Sequence, residues 1–99
     1  MKFRLRFTPE AKDDLVRLYE FLLEKDLHAA EDALEVIRRG MDVLRDFPFS
    51  CRKAVPETPF LRELVISFGS AGYVALFEIE DDRTITILAV RHQREDDFM

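Results

Sequence analysis

The sequence predicts an α+β domain in which a helical hairpin covers one face of a mainly antiparallel four-stranded sheet, in the order β-α-α-β-β-β. Three observations carry this. Apolar residues alternate from Phe3 to Phe7; they then recur at helical spacing from Ala11 to Leu44 with one interruption; and they alternate again in three runs between Phe60 and Val90, separated by turn residues. At 99 residues the chain is read as a single domain, 1–99, with one core.

Each element has its own signal. Phe3, Leu5 and Phe7 alternate with Lys2, Arg4 and Arg6, a half-buried strand with a cationic outer face that suits a sheet edge guarded against unwanted pairing. Thr8-Pro9-Glu10 starts a helix: the threonine oxygen caps free amides, proline stands at the first position, and glutamate lies near the positive end of the dipole. That helix is predicted through Lys25, with Ala11, Leu15, Leu18, Tyr19 and Leu22 on one side. Asp26-Leu27-His28 is a short break, with His28 a candidate cap. The second helix carries Ala30, Ala33, Leu34, Ile37, Met41 and Leu44 and stops at Phe47-Pro48. Gly40 inside it costs roughly 1 kcal/mol relative to alanine unless a close backbone approach offsets it.

Residues 49–59 hold two prolines and no period, which predicts a loop. Strands follow over 60–68, 73–80 and 84–90, joined by Gly69-Ser70-Ala71-Gly72 and Asp81-Asp82. In the last strand Ile85, Ile87 and Ala89 fall on one face, and Thr84, Thr86, Leu88 and Val90 on the other. Arg91, His92, Gln93 and Arg94 arrive together at its end, so a packed strand provides a rigid mount for a binding or catalytic site.

Composition narrows the function. Apolar residues make up 47% and charged residues 35%, a globular mixture without linker or low-complexity block. No run is long enough to span a bilayer, and Met1-Lys2 leads straight into strand-like sequence, so a cytoplasmic protein without membrane association is the default expectation. Cys51 is the only cysteine, which leaves no intramolecular disulfide and suggests a structural or neutral role. With two histidines far apart and acids mostly on helix surfaces, no metal site and no cofactor are expected. The net charge of −5 argues against a protein that grips a long nucleic-acid backbone. The excess is local: residues 10–46 hold eleven acids against six Lys/Arg, and the remainder balances at nine and nine.

The leading KFRLRFTPEAKDDL, the FLRELVISFGSAGYVALFEI hairpin and the terminal ITILAVRHQRE, in this element order and length, resemble the RelE/ParE superfamily of toxins from type II toxin-antitoxin systems. The resemblance covers essentially the whole chain, including Val90, His92 and Arg94 in a Val-x-His-x-Arg-like strand end. It implies a bacterial or plasmid-borne toxin neutralised by a small, ParD-like antitoxin whose C-terminal segment wraps around it in a hetero-oligomeric complex. The superfamily divides in activity. RelE-like members cleave ribosome-bound mRNA without a metal, which requires a base for the 2′-hydroxyl, cations for developing charge and an acid for the leaving oxygen. ParE-like members are associated with poisoning DNA gyrase and lack most of that cationic set.

Tyr73-Val74 stands where many relatives carry a tyrosine-arginine pair, and Glu95, Asp96 and Asp97 follow Arg94. Both departures favour the ParE-like reading. The alternatives are a ribosome-dependent endoribonuclease using Arg62, Arg91, His92 and Arg94, and a non-toxic binding module of the same fold. For contact with a target or antitoxin the candidates are Arg62, Arg91, Arg94, Phe21 and Phe60. Arg62 shares strand parity with Leu64 and Ile66, so it needs a partner to offset desolvation, with Glu63 or Glu78 as candidate carboxylates. His92 is either an acid-base group or a hydrogen-bonded structural one. Phe21, Leu23 and Leu27 exceed a narrow core stripe; they widen the buried face or, with Phe47, Phe49 or Phe60, form an apolar groove for the antitoxin.

Overall fold

The computed structural model describes residues 2–93. The chain runs β1 (Arg4–Phe7), α1 (Pro9–Leu23), α2 (Leu27–Asp46), β2 (Arg52–Lys53), β3 (Leu61–Phe68), β4 (Ala71–Ile79) and β5 (Thr84–His92), with a 3₁₀ turn over Pro48–Ser50. The strands form one sheet in the order β1-β5-β4-β3-β2. Only the β1–β5 pair is parallel. The helical hairpin covers one face, α1 over β5 and α2 over β3.

The sheet therefore has five strands where four are expected. The fifth, β2, lies in the predicted loop: Arg52 and Lys53 pair with Glu63 and Arg62. Two exposed cationic residues carry no alternation, so this pairing leaves no hydrophobic trace. It is held instead across the strands, by Arg52 Nε 3.0 Å from Glu63 Oε1 and by the Ala54 amide on the Leu61 carbonyl at 2.9 Å. β1 lies at the opposite edge, as its cations suggest.

Local chemistry sets the helix ends. Thr8 Oγ1 accepts from the Ala11 amide at 3.0 Å and Pro9 opens α1. Asp26, not His28, caps α2: its carboxylate accepts from the His28 amide at 2.9 Å. α1 ends at Leu23, two residues short of Lys25. Gly69 takes φ 63° in the β3–β4 turn, and β4 begins at Ala71. Gly40 has its reason in close approach: a Cβ there would meet Ile66 Cδ1 at 2.9 Å and Leu64 Cδ2 at 3.3 Å, so glycine lets α2 settle onto β3.

Ala11, Leu18, Ala33, Ile37, Met41 and Leu44 from the helices bury against Tyr73, Ala75, Phe77, Ile79, Ile85 and Ile87 from the sheet. Val90 joins them at 0% exposure, whereas simple alternation puts it on the other face with Thr84 and Thr86. The cause is an irregularity in β5. Leu76 pairs with Ala89 but Phe77 pairs with Ile87, so Leu88 is an extra residue and parity reverses beyond it.

Candidate functional site

The bulge decides what the end of β5 presents. β1 pairs with β5 only as far as Ile87, where the chain leaves to start α1. The β5 edge beyond would be left with bare main-chain groups, and the first turns of α1 serve them. The Thr8 amide donates to the Ile87 carbonyl at 3.1 Å, the Thr8 hydroxyl to the Leu88 carbonyl at 3.2 Å, and the Val90 amide to Asp14 Oδ2 at 2.9 Å. Asp14 is a functional-end residue that the sequence reading missed. Its signal is an acid beside Leu15 on the Ala11–Leu18 stripe, where a helix facing a sheet edge needs an acceptor.

With parity reversed, His92 points to the helix-covered side. Its ring stands edge-on to Tyr73 at 5.5 Å between centroids, and Tyr73 in turn packs on Phe68 at 5.9 Å. Burial raises the Tyr73 pKa, so the phenol stays protonated and supplies no base near neutrality. Arg91 falls on the open side, opposite Val74. Val74 is 4% exposed and carries neither charge nor proton.

Arg62 faces the covered side, as its parity predicts, but among the described residues its hydrogen bonds go to main-chain carbonyls and not to a carboxylate. Its Nε donates to the Pro59 carbonyl at 2.7 Å, and Nη1 donates to the carbonyls of Phe49 and Cys51 at 3.0 and 2.8 Å. The guanidinium also stands over the Phe49 ring at 5.2 Å from its centroid. Three carbonyls and a ring hold the cation in place as the clasp of the segment between α2 and β3. Glu63 and Glu78 are directed elsewhere, since alternation puts both on the open face. Beside this clasp, burial pushes the Cys51 thiol pKa up despite the nearby Arg62 charge, so little thiolate forms.

The sequence candidates thus do not converge. Arg62 pairs with Phe77 and Arg91 with Val74, on opposite faces and roughly 10 Å apart along β4 at about 3.3 Å per residue. Arg94 lies outside the described residues. Phe21 is 58% exposed with Lys25 Nζ 5.1 Å from its ring centroid, and Phe60 is 52% exposed, edge-on to Phe49 at 6.3 Å. These are two separate patches. Phe49 and Phe60 do line an open groove of about 370 Å³ with Phe3 and Ile79, rimmed by Glu80, Asp81 and Asp82. Leu23 and Leu27, like Phe21, stand exposed rather than widening the core.

The open face of the sheet is the other candidate surface. Val65, Val74, Leu76 and Ala89 run across its middle. Arg52 is paired with Glu63, and Arg6 Nη1 lies 4.0 Å from Glu80 Oε2, which also accepts from Thr86. Among the described residues no group of three or more His, Cys, Asp or Glu side chains is placed to hold a metal ion, and no helix is long and apolar enough to cross a membrane.

Comparison with known proteins agrees with this architecture. The family model for the ParE toxin of the type II toxin-antitoxin system parDE matches residues 5–97. Two curated toxins of Caulobacter vibrioides are similar: Toxin RelE3 is 31% identical over 88% of this chain and 90% of its own, and Toxin RelE1 is 32% identical over 80% and 82%. Among solved structures, the chromosomal ParDE system from P. aeruginosa superposes with a TM-score of 0.71 at 21% identity, covering 92% of this chain and 96% of that one. The toxin-antitoxin complex RelBE2 from Mycobacterium tuberculosis gives 0.62 at 23%, covering 94% and 100%. A helical hairpin on a mostly antiparallel sheet, together with the family match over nearly its whole length, identifies this chain as a member of the ParE toxin family within the RelE/ParE superfamily of type II toxin-antitoxin toxins.

Proposed function

We propose that this toxin acts through protein contacts on DNA gyrase and is neutralised by a cognate ParD-like antitoxin. The observation that carries the reading is Val74, paired opposite Arg91: it stands where the superfamily resemblance puts an arginine in many relatives, and it is buried at 4% exposure and supplies no cation. Phosphoryl chemistry needs several unspent cations around one point. Here Arg52 and Arg6 face carboxylates, Arg62 is bound to main-chain carbonyls, and Tyr73 is buried on the wrong side. On the same face as Val74, Val65, 42% exposed, offers apolar surface suited to a protein contact. For the antitoxin, Phe60 and its groove offer an apolar contact, and Phe21 a second one on α1.

The test is a supercoiling assay with purified gyrase and the folded chain, with and without the antitoxin encoded beside it. Inhibition relieved by the antitoxin is expected; full supercoiling at saturating toxin overturns the gyrase assignment.

One observation favours a second reading, ribosome-dependent mRNA cleavage: the two Caulobacter relatives carry RelE names. It requires cleavage of ribosome-bound mRNA that is lost in His92→Ala.

A further inference from the structure

The helical hairpin is apolar on more than the face it turns to the sheet. Val16 and Leu23 lie seven residues apart on α1, and Leu27 and Leu34 seven apart on α2, so each pair falls on one side of its helix to within about 20°. Their exposures are 56%, 43%, 51% and 41%. The two rows meet along the seam of the hairpin. Leu23 and Leu27 flank the turn between the helices, and Leu34 lines a crevice with Leu15, Tyr19 and Leu22 of α1. The core is served by other residues, Ala11 and Leu18 of α1 and Ala33, Ile37, Met41 and Leu44 of α2. Large apolar side chains gathered in one exposed stripe mark a contact surface.

The charges beside the stripe are one-sided. Glu20 and Glu31 are exposed, one helical turn after Val16 and after Leu27. Glu24 caps the end of α1, whose last turn holds no basic residue. A carboxylate at the negative end of a helix dipole costs stability, so Glu20 and Glu24 stand against the preference of their own helix. Such departures belong where recognition rather than folding sets the residue. Among the described residues the ion pairs of the helices are made elsewhere, by Arg17 with Asp14 and by Arg38, Arg39 and Arg45 with Glu35 and Asp42. Lys25 is turned to the Phe21 ring, and Lys12 lies a turn before Val16, at the end of the stripe away from the inter-helix turn.

We infer that the stripe receives a basic amphipathic helix of the toxin's target, with the helix's apolar residues laid between Val16 and Leu23 on one side and Leu27 and Leu34 on the other, and its Lys or Arg residues meeting Glu20, Glu24 and Glu31. The assignment rests on the gyrase reading above and gives it a docking surface. Charge selects the occupant. A second copy of this chain brings the same carboxylates together across a two-fold axis, and a nucleic acid or an anionic lipid surface is repelled by them. An enzyme that grips DNA carries basic surface by necessity, and a helix laid in an apolar groove is a recurrent mode of recognition. The antitoxin contact at Phe21 is a separate surface, since Phe21 stands about 160° around α1 from Leu23.

The test measures binding of purified gyrase, and of the antitoxin encoded beside the toxin, to the full chain and to two variants: Glu20→Lys combined with Glu24→Lys, and Val16→Gln. Lysines at the end of α1 suit the dipole, so the first variant is expected to melt no lower than the unaltered chain, and glutamine is a better helix former than the valine it replaces. Each variant is expected to bind gyrase roughly tenfold more weakly with antitoxin affinity unchanged. The rate of association with gyrase should fall with added salt for the unaltered chain and lose that dependence in the lysine variant, a readout that a merely structural role would not move. If Val16→Gln does not melt cooperatively, the lysine variant decides alone. Unchanged gyrase affinity in the folded variants overturns the docking surface while the gyrase reading stands. A folded, unaltered chain that does not bind gyrase overturns that reading and the assignment with it. Weakened antitoxin binding in the variants overturns the assignment in favour of the antitoxin, and self-association of the unaltered chain that Val16→Gln abolishes overturns it in favour of a second copy.

Discussion

The covered and open faces of the sheet are built from the same strands, one residue apart, under opposite constraints. On the covered face Tyr73, Phe77, Ile85, Ile87 and Val90 are at 1% exposure or less, and each is fixed by what packs against it. On the open face Val65 is 42% exposed, beside Val74 and Leu76, with the Arg52–Glu63 pair at one side and Arg91 at the other. Val74 is nevertheless buried at 4%, so among the described residues it is Val65 whose exposed apolar side chain is left for a partner. The difference teaches how to read substitutions: those on the covered face report on folding, and exposed positions on the open face can be changed at little cost to it.

The largest effects belong to the covered face. Ile37→Asp and Leu18→Asp each put an unpaired charge between hairpin and sheet, costing several kcal/mol out of a total of about 5–15, and both should lose the cooperative thermal transition. A soluble Ile37→Asp protein that melts cooperatively would mean the faces are misassigned. Gly40→Leu comes next. A side chain there drives into Ile66 and Leu64, an overpacking cost of about 1–3 kcal/mol that outweighs the roughly 1 kcal/mol gained in helix propensity, read as a lowered denaturation midpoint.

Asp14 lies between the faces in both position and effect. Asp14→Ala leaves the Val90 amide without its acceptor at a cost of about 1–3 kcal/mol, while Asp14→Asn keeps an oxygen in place and should lose less. The sharper readout is geometric. If this contact holds the bulge that turns Val90 and His92 to the covered side, the ring contact between His92 and Tyr73 should weaken in Asp14→Ala and persist in Asp14→Asn, measured by proton chemical shifts. On the open face Arg6→Ala should change stability by less than about 0.5 kcal/mol, because a 4.0 Å pair between exposed side chains contributes little.

The fold was legible because its signals are periodic. Phe3 to Phe7, the Ala11–Leu18 stripe and the runs in β3 and β4 state their faces directly, and Thr8-Pro9 marks a helix start that the structure keeps. What was not legible depends on single positions. Nothing in Thr84–His92 says that Leu88 is the extra residue, since smooth alternation fits Ile85, Ile87 and Ala89 equally well; the groups that meet the bulge, Thr8 and Asp14, lie far away in sequence. Arg62 had the right face and the wrong partner, because carbonyl acceptors in an irregular segment have no sequence signature. β2 was invisible for the related reason that two exposed residues pair through their backbone. The candidate site was therefore readable as a list of cations and not as an arrangement.

The smallest effect tests how the open face keeps its charges in register. Asp81 Oδ1 accepts the amides of Arg83 and Thr84 at 2.8 and 2.7 Å, forming the turn that leads into β5. The Arg83 amide bond, followed by that of Thr84 and the charge of Arg4, holds the Asp81 pKa below the ordinary carboxylate value. A folded-state pKa below the unfolded one means that the group adds stability above its unfolded pKa and loses it as the pH falls through the folded value. Asp81→Asn retains an acceptor oxygen but cannot titrate. Between neutral pH and strong acid the unaltered chain should therefore lose slightly more melting temperature than Asp81→Asn, and identical acid slopes would show that the turn does not sense the charge. Because the next residues place Thr86 against Glu80 and Glu80 near Arg6, a turn that loosens in acid should also disturb that cluster, while the covered side of β5, held by Ile85 and Ile87, stays packed.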